Sequence, residues 1–353
     1  MGVLTKEIVT KLITAGLAAP SAENHHYVDF AWNGSETITL RWLPPDNIGA
    51  HAFNARILSL IGAGTMIENI VIRASHEGLG VEIEEKLASP WLILLHFQPI
   101  STLVADPLDT VIVARHTNRK WFRNPGLSAT QKHEIEELRS PFSKTEHFFW
   151  LDQPPQRDAV LKLIWRAESE RFKSAALHQE LFSAVRFDLG WNATAEEGLP
   201  PGSLEVEKLM RPGFEMMSHW PLAKALSMLG AHRMMGLRAA YLPARGAPNL
   251  AVIATTQQLE PGCLAAGRLL ERIWLKVTEY GLSMQPLVAS CLLSLPGWHG
   301  VSPTCALKLE QGWNKLIGPE ILPVVLFRIG TADPVTVRTS RKPVTSIRID
   351  GLL

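Results

Sequence analysis

Residues 63–79, AGTMIENIVIRASHEGL, align without a gap on residues 266–282, AGRLLERIWLKVTEYGL. The offset is constant, 267 − 64 = 203. Six of the seventeen positions are identical: Ala63/Ala266, Gly64/Gly267, Glu68/Glu271, Ile70/Ile273, Gly78/Gly281 and Leu79/Leu282. Any two amphipathic helices share some apolar matches, and that inflates such a count. The shared glycines and the shared glutamate are not explained that way. Each copy also leads to an apolar run of strand length, WLILLHF at 91–97 and ILPVVLFRI at 321–329. The pattern reads as an internal repeat. It predicts two α+β halves joined head to tail, residues 1–104 and 105–353, a dimer made covalent.

Outward from the repeat, the other elements follow from spacing. Ile8, Leu12, Ile13 and Leu17 recur on one face and predict a helix over 6–18. Pro20 ends it in the polar loop APSAENHH. VDFAW and TITLRW alternate around Asn33-Gly34, a hairpin signal. A long helix is expected over about 51–79, closed by Gly78 or Gly80. The run 91–97 is expected to be a strand buried on both faces. Asp106-Pro107 marks a helix start that would deliver Arg115 at its end. Ser128 with Gln131 has the spacing of a capping box. Residues 187–248 have no counterpart in the first half. They read either as a lid over a site or as a helical insertion packed on the core.

Composition narrows the function classes. The 353 residues carry 35 Lys+Arg against 34 Asp+Glu, a net charge of +1. No global basic field exists to hold nucleic acid or anionic lipid. The three cysteines, Cys263, Cys291 and Cys305, form no CxxC pair, so neither a disulfide framework nor a structural zinc site is expected. Lys6, Glu7 and Lys11 interrupt the N-terminal apolar stretch. No signal peptide and no membrane span are expected, and a cytoplasmic location is the simpler reading. Twelve histidines show no metal-ligand spacing. The GAG at 62–64 is not a dinucleotide-binding turn, and no GxSxG elbow occurs.

Against this neutral background stands RHTNRKWF, residues 115–122. Arg115, Arg119 and Lys120 surround the hydroxyl of Thr117. Residues two apart share a face in an extended segment, so Arg115, Thr117 and Arg119 can point together. Guanidinium forks with a hydroxyl suit a phosphate dianion; a solvated basic turn is the plain alternative. VRTSRKP at 337–343 repeats the design with Arg338, Ser340, Arg341 and Lys342.

These stretches resemble the motifs of FMN-dependent nitroreductases. RHTNRKWF is similar to their Arg-x-Ser/Thr-x-Arg/Lys-x-x-Phe pattern. APSAENHH resembles their APS-x-x-N-x-Q loop, GLSMQPLV (281–288) their Gly-Leu turn toward a flavin-facing proline, and SRKP their C-terminal phosphate contact. The order, with the APS loop first, resembles the Acg-type proteins, in which one chain holds two nitroreductase halves. The resemblance implies an α+β fold of antiparallel sheet layers flanked by helices, with one FMN at the junction of the halves. It implies that Arg115, His116 and Thr117 bind the phosphate and ribityl end, closed by Arg341 and Arg338. Arg119 would lie at the N1 and O2 edge of the ring, and Pro20, Ser21 and Asn24 would reach the ring from the other half. Backbone amides after Pro286, at Leu287 and Val288, would approach N5. The chain has departures: His26-Tyr27-Val28 replaces Gln-Pro-Trp, and Val288-Ala289 replaces Glu-Gly.

The expected activity is a flavin oxidoreductase, with NAD(P)H or an organic molecule as hydride donor and Arg119 and His26 as the candidate catalytic residues. Two alternatives stay open: a protein that holds FMN under a lid with little turnover, and a tailoring dehydrogenase. The expected partner is a small-molecule substrate. The chain is expected as a pseudo-dimeric monomer, with further dimerisation left open. Cys291 reads as core, with a redox thiol as the minor reading. Trp191 and Trp220 read as packing residues or as stacking platforms.

Overall fold

The computed structural model describes residues 3–43, 52–88, 91–142, 144–297, 300–346 and 349–350. Helix α1 (Lys6–Leu17) starts where Thr5 accepts a hydrogen bond from the Ile8 amide, and it buries Val9, Leu12, Ile13 and Leu17. Strands β1 (Val28–Trp32) and β2 (Thr37–Trp42) form the expected hairpin, with Gly34 at φ 83° in its turn. Helix α2 (Ala52–His76) follows, then β3 (Leu79–Lys86) and β4 (Leu92–Pro99).

The second half holds α3 (Ala129–Glu137), β5 (Glu146–Trp150), α4 (Pro154–Lys173) and α5 (Ala175–Ala184). Ser128 and Gln131 close the expected capping box of α3. Short helices α6 (Arg211–Met216), α7 (Trp220–Met228), α8 (Ala231–Gly236) and α9 (Leu242–Gly246) make up much of 187–248. Then come β6 (Asn249–Thr255), α10 (Leu259–Glu279), β7 (Ser283–Pro286), α11 (Ala289–Leu292), α12 (Pro303–Ile317), β8 (Leu322–Gly330) and β9 (Ile349–Asp350).

The fold is α+β, with two antiparallel sheets and helices between and around them. One sheet has the order β3-β4-β2-β1-β9, the other β5-β6-β8-β7. Apart from β9, the connectivity is the same in both. The first two strands pair, a long helix intervenes, and the last strand inserts between the second and third. β9 pairs parallel to β1, so the tail of the second half ends on the first half's sheet.

The two long helices cross at the glycines of the repeat. A Cβ at Gly64 would lie 2.1 Å from the Leu264 carbonyl oxygen; one at Gly267 would lie 2.2 Å from that of Ile61. Since 264 − 61 = 203 as well, the crossing is symmetric under the repeat offset. Only glycine permits this backbone approach. Gly78 and Gly281, at φ 70° and 71°, close the two helices in the left-handed conformation.

Three expectations need correction. β4 is fully buried on one face only, because the half-buried Leu92, Leu94 and His96 alternate with Ile93, Leu95 and Phe97. The long helix stops at His76, and residues 79–86 are strand with a polar outer face, Glu82, Glu84 and Lys86. After Asp106 there is one short 3-10 turn, Pro107–Val111, capped by Asp106 on the Leu108 amide at 3.0 Å. Helix α2 is long and apolar enough to cross a membrane by composition, yet most of it is buried against α1, α10 and the first sheet.

Candidate functional site

The stretch 115–120 runs beside β7. Thr117 bridges Met284, and the Asn118 amide donates to the Met284 carbonyl at 3.2 Å. The buried Asn118 side chain donates to Ser283 Oγ (3.2 Å) and to the Asp333 carbonyl (2.9 Å). The backbone turns there, so the cations of the motif separate. Arg115 points into the core; Arg119 points toward the insertion. They do not share a face as expected, because the segment pairs with its neighbour only at a single bridge and is not a regular strand.

Arg115 is 2% exposed. Its Nη2 donates to the Ala18 carbonyl at 2.9 Å, and its guanidinium lies 4.7 Å from the Trp274 ring centre. Its Nε lies 3.3 Å from Glu271 Oε1, close enough for ion pairing but misaligned for a hydrogen bond. Nε and Nη1 are buried with no hydrogen-bond acceptor. Burial pushes the Glu271 carboxyl up to about 7, against the pull of Arg115.

The tail residues converge on the same place. Arg338 Nη2 donates to the carbonyls of Val113 and Arg115. Arg341 Nη1 donates to Asn24 Oδ1, while Arg341 Nε is buried without an acceptor. Burial pushes the Arg341 guanidinium down to about 9, and Arg115 next to it adds to that shift. Arg115 and Arg341 act on one carboxylate, Glu271, so 2 − 1 leaves an excess of one positive charge, to which the exposed Arg338 at the edge adds another. A dianion with several acceptor oxygens would satisfy both the charge and the three orphaned N–H groups.

The APS loop closes the other side. Pro20 offers its carbonyl to Thr65 Oγ1 at 2.9 Å, which ties the loop to α2. Ser21 Oγ is buried with no partner. Asn24, at φ 58°, donates to the Ala195 carbonyl at 3.1 Å. Burial, then the positive charge of Arg341, pushes His26 down to about 3, so its ring is neutral near pH 7. His26 Nε2 lacks a partner.

The remaining expected residues lie along the edges. His116 hydrogen-bonds the Ala114 carbonyl and stays half-buried. Arg119 Nη1 donates to the Ser203 carbonyl at 3.1 Å, and burial, countered by Glu205, pushes it down to about 10. Pro286 ends β7. The Leu287 amide donates to the Leu326 carbonyl at 2.7 Å, so it is spent on the sheet and has no proton to offer a ligand. Val288 follows at the start of the short α11. The three cysteines are buried, and burial pushes the Cys291 thiol up to about 12. Trp191 packs under Arg211, 4.5 Å from its ring centre, and Trp220 against His178, 5.0 Å between rings.

The insertion lies directly on these groups. Thr194 accepts from the Ser340 amide and donates to the Arg338 carbonyl at 2.6 Å. Glu205 accepts from Thr336 Oγ1 at 2.7 Å, and Glu197 pairs with Lys342 at 2.7 Å. Residues 194–205 therefore strap the tail and contact both Asn24 and Arg119.

No family model and no curated protein matches the chain. Three solved structures are similar to it in outline. A BluB-like flavoprotein from Clostridium difficile 630 is 14% identical, with a TM-score of 0.38; the match covers 68% of this chain and 96% of that one. The FMN-dependent nitroreductase NfnB from Mycobacterium smegmatis, solved with NADPH, is 15% identical at a TM-score of 0.38, covering 68% and 96%. A nitroreductase from Bacteroides fragilis with bound FMN is 14% identical at 0.39, covering 69% and 98%. These superpositions are loose, and the functional reading rests on this chain's own residues.

Two residues escaped the motif reading. Glu271 belongs to the repeat but was read only as a match. Arg328, 0% exposed, lies in the apolar run 321–329; it donates to Gln285 Oε1 (2.7 Å), the Lys120 carbonyl (2.7 Å) and the Pro243 carbonyl (3.2 Å). It thereby fixes the 115–120 segment against β7. A charged residue inside such a run was the available signal.

Proposed function

We propose that this chain is an FMN-binding oxidoreductase of nitroreductase-like build, two fused halves gripping one flavin phosphate between them. The observation that carries the reading is the trio Arg115, Arg338 and Arg341. The orphaned N–H bonds belong to Arg115 and Arg341, whose buried guanidinium atoms, with the exposed Arg338 beside them, are costly unless an anion completes them. A phosphate monoester dianion has the charge and the acceptors they need.

In this reading Arg115 and Arg341 hold the phosphate, with Arg338 bracing the Arg115 backbone. Thr117 and Ser21 supply hydroxyls, and Pro20, Asn24 and Val288 border the ring. FMN would supply the hydride chemistry, with NAD(P)H or an organic molecule as donor. Arg119 would keep a positive charge near the ring, which favours its reduced anionic form. His26, neutral at physiological pH, would serve as a hydrogen-bond acceptor and not as a proton store.

The strap 194–205 favours a second reading, a flavin holder with little turnover. Its carbonyls at Ala195 and Ser203 already take the donors of Asn24 and Arg119. Titration of the purified chain with FMN by calorimetry tests the first claim; a folded chain that takes up no FMN would end it. Anaerobic NADPH and then nitro or quinone acceptors separate enzyme from holder by whether the flavin bleaches and recolours.

A further inference from the structure

The net charge of +1 hides an uneven distribution. Residues 207–245 carry Lys208, Arg211, Lys224, Arg233, Arg238 and Arg245 against Glu207 and Glu215, so 6 − 2 gives +4. The rest of the chain is then 1 − 4, or −3. The same stretch holds six of the nine methionines. Among the described residues, six of the twelve large apolar side chains left exposed also lie here: Leu209, Met210, Met216, Met228, Leu229 and Met234. Leu209, Met228 and Leu229 are 92%, 80% and 86% exposed. Single exposed apolar residues are ordinary on a surface; a cluster of this density calls for a partner.

The insertion has an inner and an outer side. Phe214 of α6 packs inward, its ring centre 5.3 Å from that of Phe182 and 6.0 Å from that of Phe187. Helix α8 lies hard on α4: a Cβ at Gly236 would stand 2.7 Å from the Ser169 amide nitrogen. Outward, apolar and basic groups interleave. Lys208 precedes Leu209, Lys224 stands one turn before Met228 on α7, and Arg233 adjoins Met234 on α8. Glu207 pairs with Arg238, about one turn after Met234, and so brings 208–210 beside the end of α8. Gly230, at φ 93°, turns the chain between α7 and α8 and leaves Met228 and Leu229 free at the corner. Trp165 of α4, 41% exposed, donates its indole N–H to the Arg233 carbonyl at 3.1 Å. Both acids of the stretch are engaged, Glu207 by Arg238 and Glu215 by Trp191 Nε1. Lys208, Lys224, Arg233 and Arg245 are exposed, and none pairs with a carboxylate among the described residues.

We propose that this outer side docks on the surface of an anionic lipid bilayer, with the Leu and Met side chains in the acyl boundary and the four free cations among the headgroup phosphates. Three features choose a bilayer over a protein partner. The charge is complementary to an anionic leaflet, and lysine is depleted in protein interfaces. The most exposed apolar groups stand on a short turn and a helix corner, a shape that a fluid surface accepts without a matching cavity. Trp165 has the half-wet position that an indole takes at a membrane surface, one end bonded and one end apolar. Docking of this kind needs no spanning segment. The claim goes beyond flavin binding and does not require it.

The test uses the full chain without FMN and vesicles of two compositions, phosphatidylcholine alone and phosphatidylcholine with about a third phosphatidylserine, read by co-sedimentation. The anionic vesicles are expected to bind at least ten times tighter than the neutral ones, and raised salt should weaken them about ten-fold or more, since each cation near the leaflet contributes about five-fold. Met228→Ser with Leu229→Ser should weaken the anionic vesicles about ten-fold through lost hydrocarbon burial, with circular dichroism reporting the fold. Equal binding to both compositions, or none to either by the folded wild type, overturns the proposal without need of any variant. A folded Met228→Ser, Leu229→Ser chain that binds as the wild type does also overturns it, because charge alone would then hold the vesicle. So does a self-associated wild type that ignores vesicles and becomes monomeric with the same change, which would make a second copy the occupant. Vesicle binding without FMN uptake would refute the flavin reading alone; FMN uptake without vesicle binding would refute this one alone.

Discussion

Glu68 and Glu271 hold equivalent places in the two long helices, yet their surroundings differ. Both are buried, at 2% and 0% exposure. Glu68 is met by Arg268 Nε at 2.9 Å and Arg272 Nη1 at 2.7 Å, both from the opposite helix. By the repeat offset, the residues that would meet Glu271 are Thr65 and Asn69 (268 − 203 and 272 − 203). They are neutral, and Thr65 is occupied with the Pro20 and Gly62 carbonyls. Asn69 supports Glu271 only as a neutral group, so its nearest countercharge is Arg115, which arrives from outside the helix pair and keeps two N–H groups unspent. One copy of the repeat has completed its ion pairs and locks the fold. The other has an incomplete set, and that is where the tail's arginines gather.

The comparison can be broken by experiment. The largest effect is expected at the crossing itself: Gly64→Ala and Gly267→Ala should each cost at least about 3 kcal/mol, because the new Cβ meets backbone. Urea melts should give similar losses; a neutral change at one site would show that the crossing is not symmetric.

Next comes the contrast between the acids. Glu68→Gln should cost about 2–3 kcal/mol by leaving Arg268 without its carboxylate, while Arg272 keeps Asp106 at 2.6 Å. Glu271→Gln should instead change how stability depends on pH. The Glu271 carboxyl is raised in the folded state from 4.5 to about 7. Its contribution is then fully present below the unfolded value and fades as pH rises through about 7, by on the order of 3 kcal/mol. The difference between wild-type and Glu271→Gln stability, followed from pH 4.5 to 8, should carry that slope; a constant difference would contradict it.

A smaller effect is expected on binding. Arg341→Ala should weaken FMN by about 1.5–2 kcal/mol, a charged hydrogen bond, while leaving the melt nearly unchanged. The smallest near neutral pH concerns His26, whose pKa is lowered in the folded state. Glu271 aside, His26→Gln should remove an acid-side loss of stability that sets in as pH falls below the ordinary histidine range toward 3. Turnover, if measured, should show no step near pH 6.5 from this ring.

Much of the scaffold was legible. The caps at Asp106 and Ser128, the hairpin at Asn33-Gly34 and the paired glycines all act locally, within a turn or one backbone contact. The strand 79–86 was not, because LGVEIEEK continues a helical stretch and its outward acids mask the alternation. The one-sided burial of 91–97 was missed because a continuous apolar run hides which face meets helices. At the site, spacing showed which residue types were present but not their directions. The turn at Asn118, fixed by Ser283 and Asp333 from distant parts of the chain, separates Arg115 from Arg119. The mismatch of Thr65 and Asn69 with Arg268 and Arg272 was visible in the alignment, and it marked the incomplete copy.

The last strand has its own consequence. Between Gly330 on one sheet and Ile349 on the other, the chain is a belt buckled at both ends, with Arg338 and Arg341 midway along it. A guest that holds the middle of a belt tightens both buckles. Amide exchange in β1, on the sheet where the belt is fastened last, should slow when phosphate esters bind, even though no residue of that strand need touch them.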